Sequence, residues 1–192
     1  DVADAVKWCQ FEFEADIISL SLGGTSSVEE NQEGASASAV RQATDAGVYV
    51  VAAAGNDGQA DDGDVASPVS VPLALSGGAT QQSGEIWENS SVGGPTTRTG
   101  DLRLSPHQKP EIVAPGQRII STGGSNLWYS SSGTSDSTVF VAGALALILE
   151  ANPHLKSQPE GNASCLIDVK EALKQSALSN DASGHDEYFG YG

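Results

Sequence analysis

The chain has 192 residues, with 22 glycines, 6% aromatics and a formal charge of −16 from 25 acidic and 9 basic residues. The acidic balance argues against nucleic acid and anionic membranes as partners, because both are bound through Lys/Arg patches. No uninterrupted apolar run approaches the roughly 18 residues that cross a bilayer, and the length suits one domain, residues 1–192, with a real core. Small and aliphatic side chains suit tight α/β packing with glycine-rich strand-to-helix turns. An acidic surface fits a secreted protein, a calcium binder or a salt-adapted one; the expectation is a secreted, extracellular protein. The chain opens without Met, inside an amphipathic pattern, and reads as a fragment or a processed chain. Cys9 and Cys165 match no metal spacing and read as two free, buried thiols.

In chain order, Val2, Ala5, Val6, Cys9 and Phe13 share one face of a helix over 2–13. Residues 15–22 read as a strand ending at Gly23-Gly24, and 28–46 as an alanine-rich helix closed by Gly47. Val48 to Ala54 is continuously apolar, which marks a buried parallel strand ending at Gly55-Asn56. An acidic loop follows over 57–68. Val69 to Leu75 is a candidate strand weakened by Pro68 and Pro72, and 76–110 reads as a long excursion with little regular structure. Ile112 to Gly116 is a short strand and turn. Ile119–Thr122 and Trp128–Ser130 pair as a hairpin, and an apolar run from Val139 to Leu149 predicts a helix enclosed by protein on all sides. A last amphipathic helix spans 168–177 on Val169, Ala172 and Leu173. This order predicts an α/β fold, a parallel sheet with helices on both faces.

The chemistry begins at Ser132-Gly133-Thr134-Ser135, directly before that apolar helix. A helix N-terminus leaves N–H groups unpaired and carries partial positive charge, which favours the anion formed when a hydroxyl attacks a carbonyl. A Ser/Thr helix cap is the plainer reading of the same residues. Asn56 offers a neutral amide donor, although Gly-Asn-Asp-Gly at 55–58 is also strong turn chemistry.

Four segments then occur in a definite order: Ile17 to Gly24, Val51 to Asn56, Lys109 to Gly116, and Ser132 to Ser135 with its helix. Together they resemble the subtilisin-like serine proteases, the subtilases, over the C-terminal portion of their catalytic domain. The resemblance implies a subtilisin-like fold whose N-terminal part is missing. It implies serine endopeptidase activity through an acyl-enzyme, with Ser135 as nucleophile and Asn56 in the oxyanion hole beside the Ser135 N–H. Ser21, Leu22, Gly23 and Gly24 match the strand that pairs with an extended substrate, and Ala52, Ala53, Ala54 and Gly55 the opposite wall of the pocket. For Gly23-Gly24 a simple strand terminator is the alternative. The small, uncharged walls suggest a neutral and fairly open preference next to the cut.

The chain departs from the family in two ways. The family's base His lies in an H-G-T-H-type motif and the orienting Asp in a D-[ST]-G motif; neither occurs here. His107, His154 and His185 read as surface residues rather than replacements. A serine nucleophile is weak until a base takes its proton, so the chain by itself is expected to be nearly inert. Within the nucleophile helix, Asp136 stands where the family places a buried Met and Val139 where it places Pro. The alternative reading is therefore a non-catalytic pseudoprotease that binds peptides or a partner along Ser21–Gly24. No cofactor is required. Calcium is possible, although the acidic loop 57–64 matches no EF-hand and reads first as a solvated loop. The expected partners are a protein or peptide substrate, and a missing N-terminal portion or a second copy to cover exposed apolar surface. Asn89-Ser90-Ser91 and Asn162-Ala163-Ser164 are glycosylation sequons.

Overall fold

A capping box opens the first helix: Asp4 N–H donates to the Asp1 carboxylate at 3.0 Å, and the Asp4 side chain takes the N-terminal ammonium. That helix, α1, spans Val2–Phe11. It is followed by β1 (Ile17–Leu20), α2 (Ala35–Asp45), β2 (Tyr49–Ala53), β3 (Leu75–Thr80), β4 (Ile112–Pro115), β5 (Ile119–Thr122), β6 (Trp128–Ser131), α3 (Thr134–Ala151) and α4 (Ser164–Ser176). The structure is a computed structural model and describes residues 1–24, 34–58, 64–97, 100–156, 163–178 and 184–192. The centre of the acidic loop, the start of the expected helix over 28–46, and Asn162 of the second sequon lie outside the described residues.

β1, β2, β3 and β4 form one parallel sheet in that order, and β5 and β6 form an antiparallel hairpin. Alternation along β2 divides the core. Val50 and Ala52 join Val6, Ile18, Val40 and Ala43 under α1 and α2. Tyr49 and Val51 join Leu75, Val141, Leu145, Leu149, Leu166 and Val169 under α3 and α4. The expected α/β architecture, a parallel sheet covered on both faces, is what the chain adopts.

Four expectations need correction. The strand lies at Leu75–Thr80, inside what reads as an irregular excursion, while 69–74 is a series of turns. In its Leu-Ser-Gly-Gly-Ala-Thr sequence only Thr80 is of the β-branched or aromatic kind that marks strands. Tertiary packing selects it: a Cβ on Gly77 would lie 3.2 Å from Ser137 Oγ and 3.5 Å from the Thr138 backbone. Bare backbone there lets α3 lie against the sheet.

Second, α3 is not enclosed. Thr134, Thr138, Val141, Leu145 and Leu149 form one buried stripe, whereas Val139, Phe140 and Leu147 on the other side are 60%, 49% and 67% exposed. Of the described helices, α3 alone has the length and apolar composition of a membrane span. Its buried stripe packs on the sheet, and the Ser137 hydroxyl donates to the Gly78 carbonyl.

Third, two histidines are half-buried rather than superficial. The Nε2 of His185 lies 2.9 Å from the Pro110 carbonyl, and its ring meets Tyr191 edge-on. Burial, with the Lys170 ammonium adding to it, pulls His107 down to about 4. His154 is exposed as expected. Fourth, Phe13, Ala5 and Ala172 are exposed, so both amphipathic faces are narrower than their spacing suggests. Cys9 and Cys165 are free and half-buried.

A buried ionic cluster ties the sheet to α4. Glu111 is 4% exposed and meets Lys109 Nζ at 2.8 Å and Lys170 Nζ at 2.6 Å; its other oxygen accepts from Ser76 N–H in β3 at 2.8 Å. The ammonium of Lys109 also donates to the Ala74 carbonyl at 2.6 Å. Desolvation opposes every charge here. The two ammoniums nonetheless hold Glu111 below the usual carboxylate range, while burial lowers both lysines.

Candidate active site

The register Leu20↔Ala52 makes β1 and β2 end side by side. Ser21–Gly24 and Ala54–Asn56 therefore emerge together at the carboxyl end of the sheet, where ligands of parallel sheets bind. The N-terminus of α3 is held at the same place through Gly116. Its N–H donates to the Thr80 carbonyl at 2.9 Å, and its own carbonyl accepts from Gly133 N–H at 2.8 Å. A Cβ on Gly116 would stand 2.6 Å from Ala79 Cβ and 2.7 Å from the Gly133 oxygen, so only glycine fits.

Thr134 joins the two segments. Its N–H and its hydroxyl each lie 2.9 Å from Asn56 Oδ1, and the hydroxyl oxygen also accepts from Gly55 N–H at 3.2 Å. Two donors on the carbonyl oxygen fix the orientation of the amide. The Asn56 Nδ2 is left for the site. Both groups border Gly133: a Cβ there would be 3.6 Å from Asn56 Nδ2, 3.6 Å from Ser135 N and 3.8 Å from Asn56 Oδ1.

Ser135 is half-buried and bound to β1's exit from both directions. Its hydroxyl donates to the Ser21 carbonyl at 3.3 Å, and the Ser21 hydroxyl donates to the Ser135 carbonyl at 3.1 Å. Asp136 faces the other way, its Oδ1 accepting from Ser131 Oγ at the end of β6 at 2.6 Å. Among the described residues no histidine or carboxylate is a hydrogen-bond partner of Ser135.

The two expected pocket walls differ. Ser21, Leu22, Gly23 and Gly24 are exposed, and Gly24 exchanges backbone hydrogen bonds with Ser67 at 3.1 and 3.0 Å. Ala52 and Ala54 are fully buried in the core beneath α1 and α2, and Ala53 is buried too, so of these four only Gly55 opens to the site. Gly55 has φ +121°, and a Cβ there would strike Ser91 Oγ. Sequence reasoning missed Ala66. Its Cβ lies 2.8 Å from where a Gly23 Cβ would stand and 3.4 Å from where a Gly55 Cβ would stand. The site's remaining supports, Thr134 and Gly133, sit in the quoted motif, but only their hydrogen bonds and clearances reveal what they do.

No group of three His, Cys, Asp or Glu side chains gathers as a metal site among the described residues. Asp64, one of the acidic-loop carboxylates, does not suit a calcium ion. Both its oxygens are taken by the buried guanidinium of Arg103, at 2.7 and 2.9 Å.

The peptidase S8 model, described as the subtilase family, matches residues 1–192. The chain belongs to the subtilase family. It is 31% identical over 195 residues to serine protease AprX of Bacillus subtilis (strain 168), a match covering 91% of this chain and 42% of AprX. It is 30% identical over 181 residues to the minor extracellular protease Epr of the same organism, covering 92% of this chain and 23% of Epr. Among solved structures, Sphericase superposes with a TM-score of 0.74 at 29% identity, covering 100% of this chain and 61% of Sphericase. The chain thus spans less than half the length of these two curated relatives. Names among the relatives include both extracellular and intracellular proteases.

Proposed function

We propose that the protein carrying this chain is a subtilisin-like serine endopeptidase, with residues 1–192 forming the C-terminal portion of its catalytic domain. Ser135 attacks the scissile carbonyl. Asn56 Nδ2 and the Ser135 N–H hold the oxyanion, and the proton of Ser135 passes to a base supplied from outside this chain. The observation that supports the reading is that the Asn56 amide and the Ser135 N–H, from segments 79 residues apart, border the same glycine, with Nδ2 and N each 3.6 Å from where a Gly133 Cβ would stand. Fixed donors aimed at developing charge lower the barrier because they need no reorganisation as the charge forms. The reaction uses side chains and backbone amides and requires no cofactor. The chain alone, without the family's Asp and His motifs, is inert.

The substrate is an extended peptide paired along Ser21–Gly24. Ala66, set between Gly23 and Gly55, leaves room for only a small side chain before the cut, which narrows the open preference suggested by composition. The outer face of α3, with Val139, Phe140 and Leu147 exposed, is covered by a further part of the same protein. Secretion is the proposed localisation, supported by the acidic surface and by an extracellular relative.

A fluorophosphonate probe on the full-length protein tests the reading. Labelling at Ser135 that disappears in Ser135→Ala is expected; no labelling of correctly folded full-length protein overturns it. That second result would favour the pseudoprotease reading, for which the specific observation is Asp136 beside Ser135.

A further inference from the structure

We infer that Asp136 gives the site a preference for peptides with a basic side chain just after the scissile bond. The inference rests on the hydrolase reading above. Ser135 is bounded on one side by β1's exit, through its reciprocal hydrogen bonds with Ser21. The proposed oxyanion donors, Asn56 Nδ2 and the Ser135 N–H, border Gly133. An acyl portion paired along Ser21–Gly24 therefore sends the leaving portion toward the remaining flank, where β6 runs into α3. Asp136 stands on that flank. It is half-buried in the first turn of α3, and Ser131 Oγ fixes its carboxylate through Oδ1.

Among the described residues the charge on Asp136 has no partner cation. Among the described residues no Lys or Arg lies within ion-pair distance, and no hydrogen bond reaches Oδ2. Arg118, whose backbone N–H donates to Ser132 Oγ at 3.0 Å on the same flank, is exposed and makes no ion pair with it. The N-terminal end of α3 supplies only partial positive charge. A lysine or arginine of the leaving peptide would complete the pair in a partly desolvated place, where charge complementarity discriminates between ligands. It would also offset the repulsion between Asp136 and the oxyanion forming one residue away, so the gain falls on kcat as well as on KM.

The test uses the full-length protein and paired internally quenched peptides, identical except for Lys or Gln at the first two positions after the cut. Fluorophosphonate labelling is measured first. For the wild type at low salt, kcat/KM for the Lys peptide should exceed that for the Gln peptide by about tenfold, falling as salt screens the pair. In Asp136→Asn the ratio, read within the one variant, should fall to near one. A wild-type ratio near one overturns the inference whether or not the variant folds, and so does an equal ratio in wild type and Asp136→Asn. Absence of labelling instead overturns the hydrolase reading on which the inference stands.

Discussion

Thr134 donates twice to the same atom of Asn56: its N–H and its hydroxyl are each 2.9 Å from Oδ1. The residue before Ser135 on α3 thereby sets the orientation of an amide that belongs to the turn after β2. Thr134→Val keeps the N–H and the shape but removes the hydroxyl. Turnover of the full-length protein should fall about tenfold with KM little changed, because only the aim of Nδ2 loosens. Asn56→Leu removes the donor itself. For the corresponding change in subtilisin, a member of this family, the loss is about 10²–10³ in kcat. A Thr134→Val loss as large as that of Asn56→Leu would show that the hydroxyl does more than orient.

Gly133 should be intolerant of a methyl group for reasons of chemistry rather than folding. Its φ of 171° is extended backbone that any residue adopts, but a Cβ would occupy the volume between Asn56 Nδ2 and Ser135 N. Gly133→Ala should unfold at nearly the wild-type temperature while kcat/KM drops by about 10² or more, close to the loss of an oxyanion donor. Thermal melting and peptide hydrolysis, run on the same preparation, separate the two effects.

On the proposed reading, Ala66, packed between Gly23 and Gly55, sets the size limit for the side chain before the cut. Ala66→Gly should let the full-length protein accept larger side chains before the cut, and Ala66→Val should exclude all but glycine. One missing or added methyl in a pocket is worth about 10–200-fold in discrimination. A series of peptides varying only at that residue reads the change.

Glu111 is the counter-charge for two fully buried ammoniums. Glu111→Gln leaves both without an anion and should destabilise the protein by about 3–5 kcal/mol, as expected when one partner of a buried ion pair is lost. Denaturant unfolding of wild type and variant measures the difference.

Stability should also weaken in mild acid through His107. Burial and the Lys170 and Lys109 ammoniums hold it near 4, opposed by Glu111 and the Pro72 carbonyl, against about 6.5 in an unfolded chain. Between those values the unfolded chain binds a proton that the folded one does not. The contribution is intact above pH 6.5, shrinks as the pH falls toward about 4, and changes no further below that. Other groups titrate in the same window, so the comparison is with His107→Gln, in which the dependence of unfolding free energy on pH between 6.5 and 4 should be shallower.

Much of the site is legible in the chain because it rests on local chemistry. Gly133-Thr134-Ser135 ahead of an apolar helix and Gly55-Asn56 after an apolar strand are signals carried by a few adjacent residues. The continuous apolar run of β2 and the helix periodicities likewise predict a parallel α/β sheet, since periodicity reflects burial. What resisted sequence reading depends on distant residues. Leu75–Thr80 is a strand because α3 and β4 press against its glycines, and not because its own residues favour extension.

The sequence by itself determined the family, the parallel sheet, and the residue types able to attack a carbonyl and stabilise its anion. These follow from composition, period and short motifs, which need no knowledge of what lies across the fold. Only tertiary structure decided that the Asn56 amide and Ser135 N–H border the same glycine, that Ala66 packs between two glycines, and that α3 leaves Phe140 and Leu147 uncovered. The physical reason is that direction, clearance and burial belong to pairs of residues tens of positions apart, and the chain must close before those pairs exist.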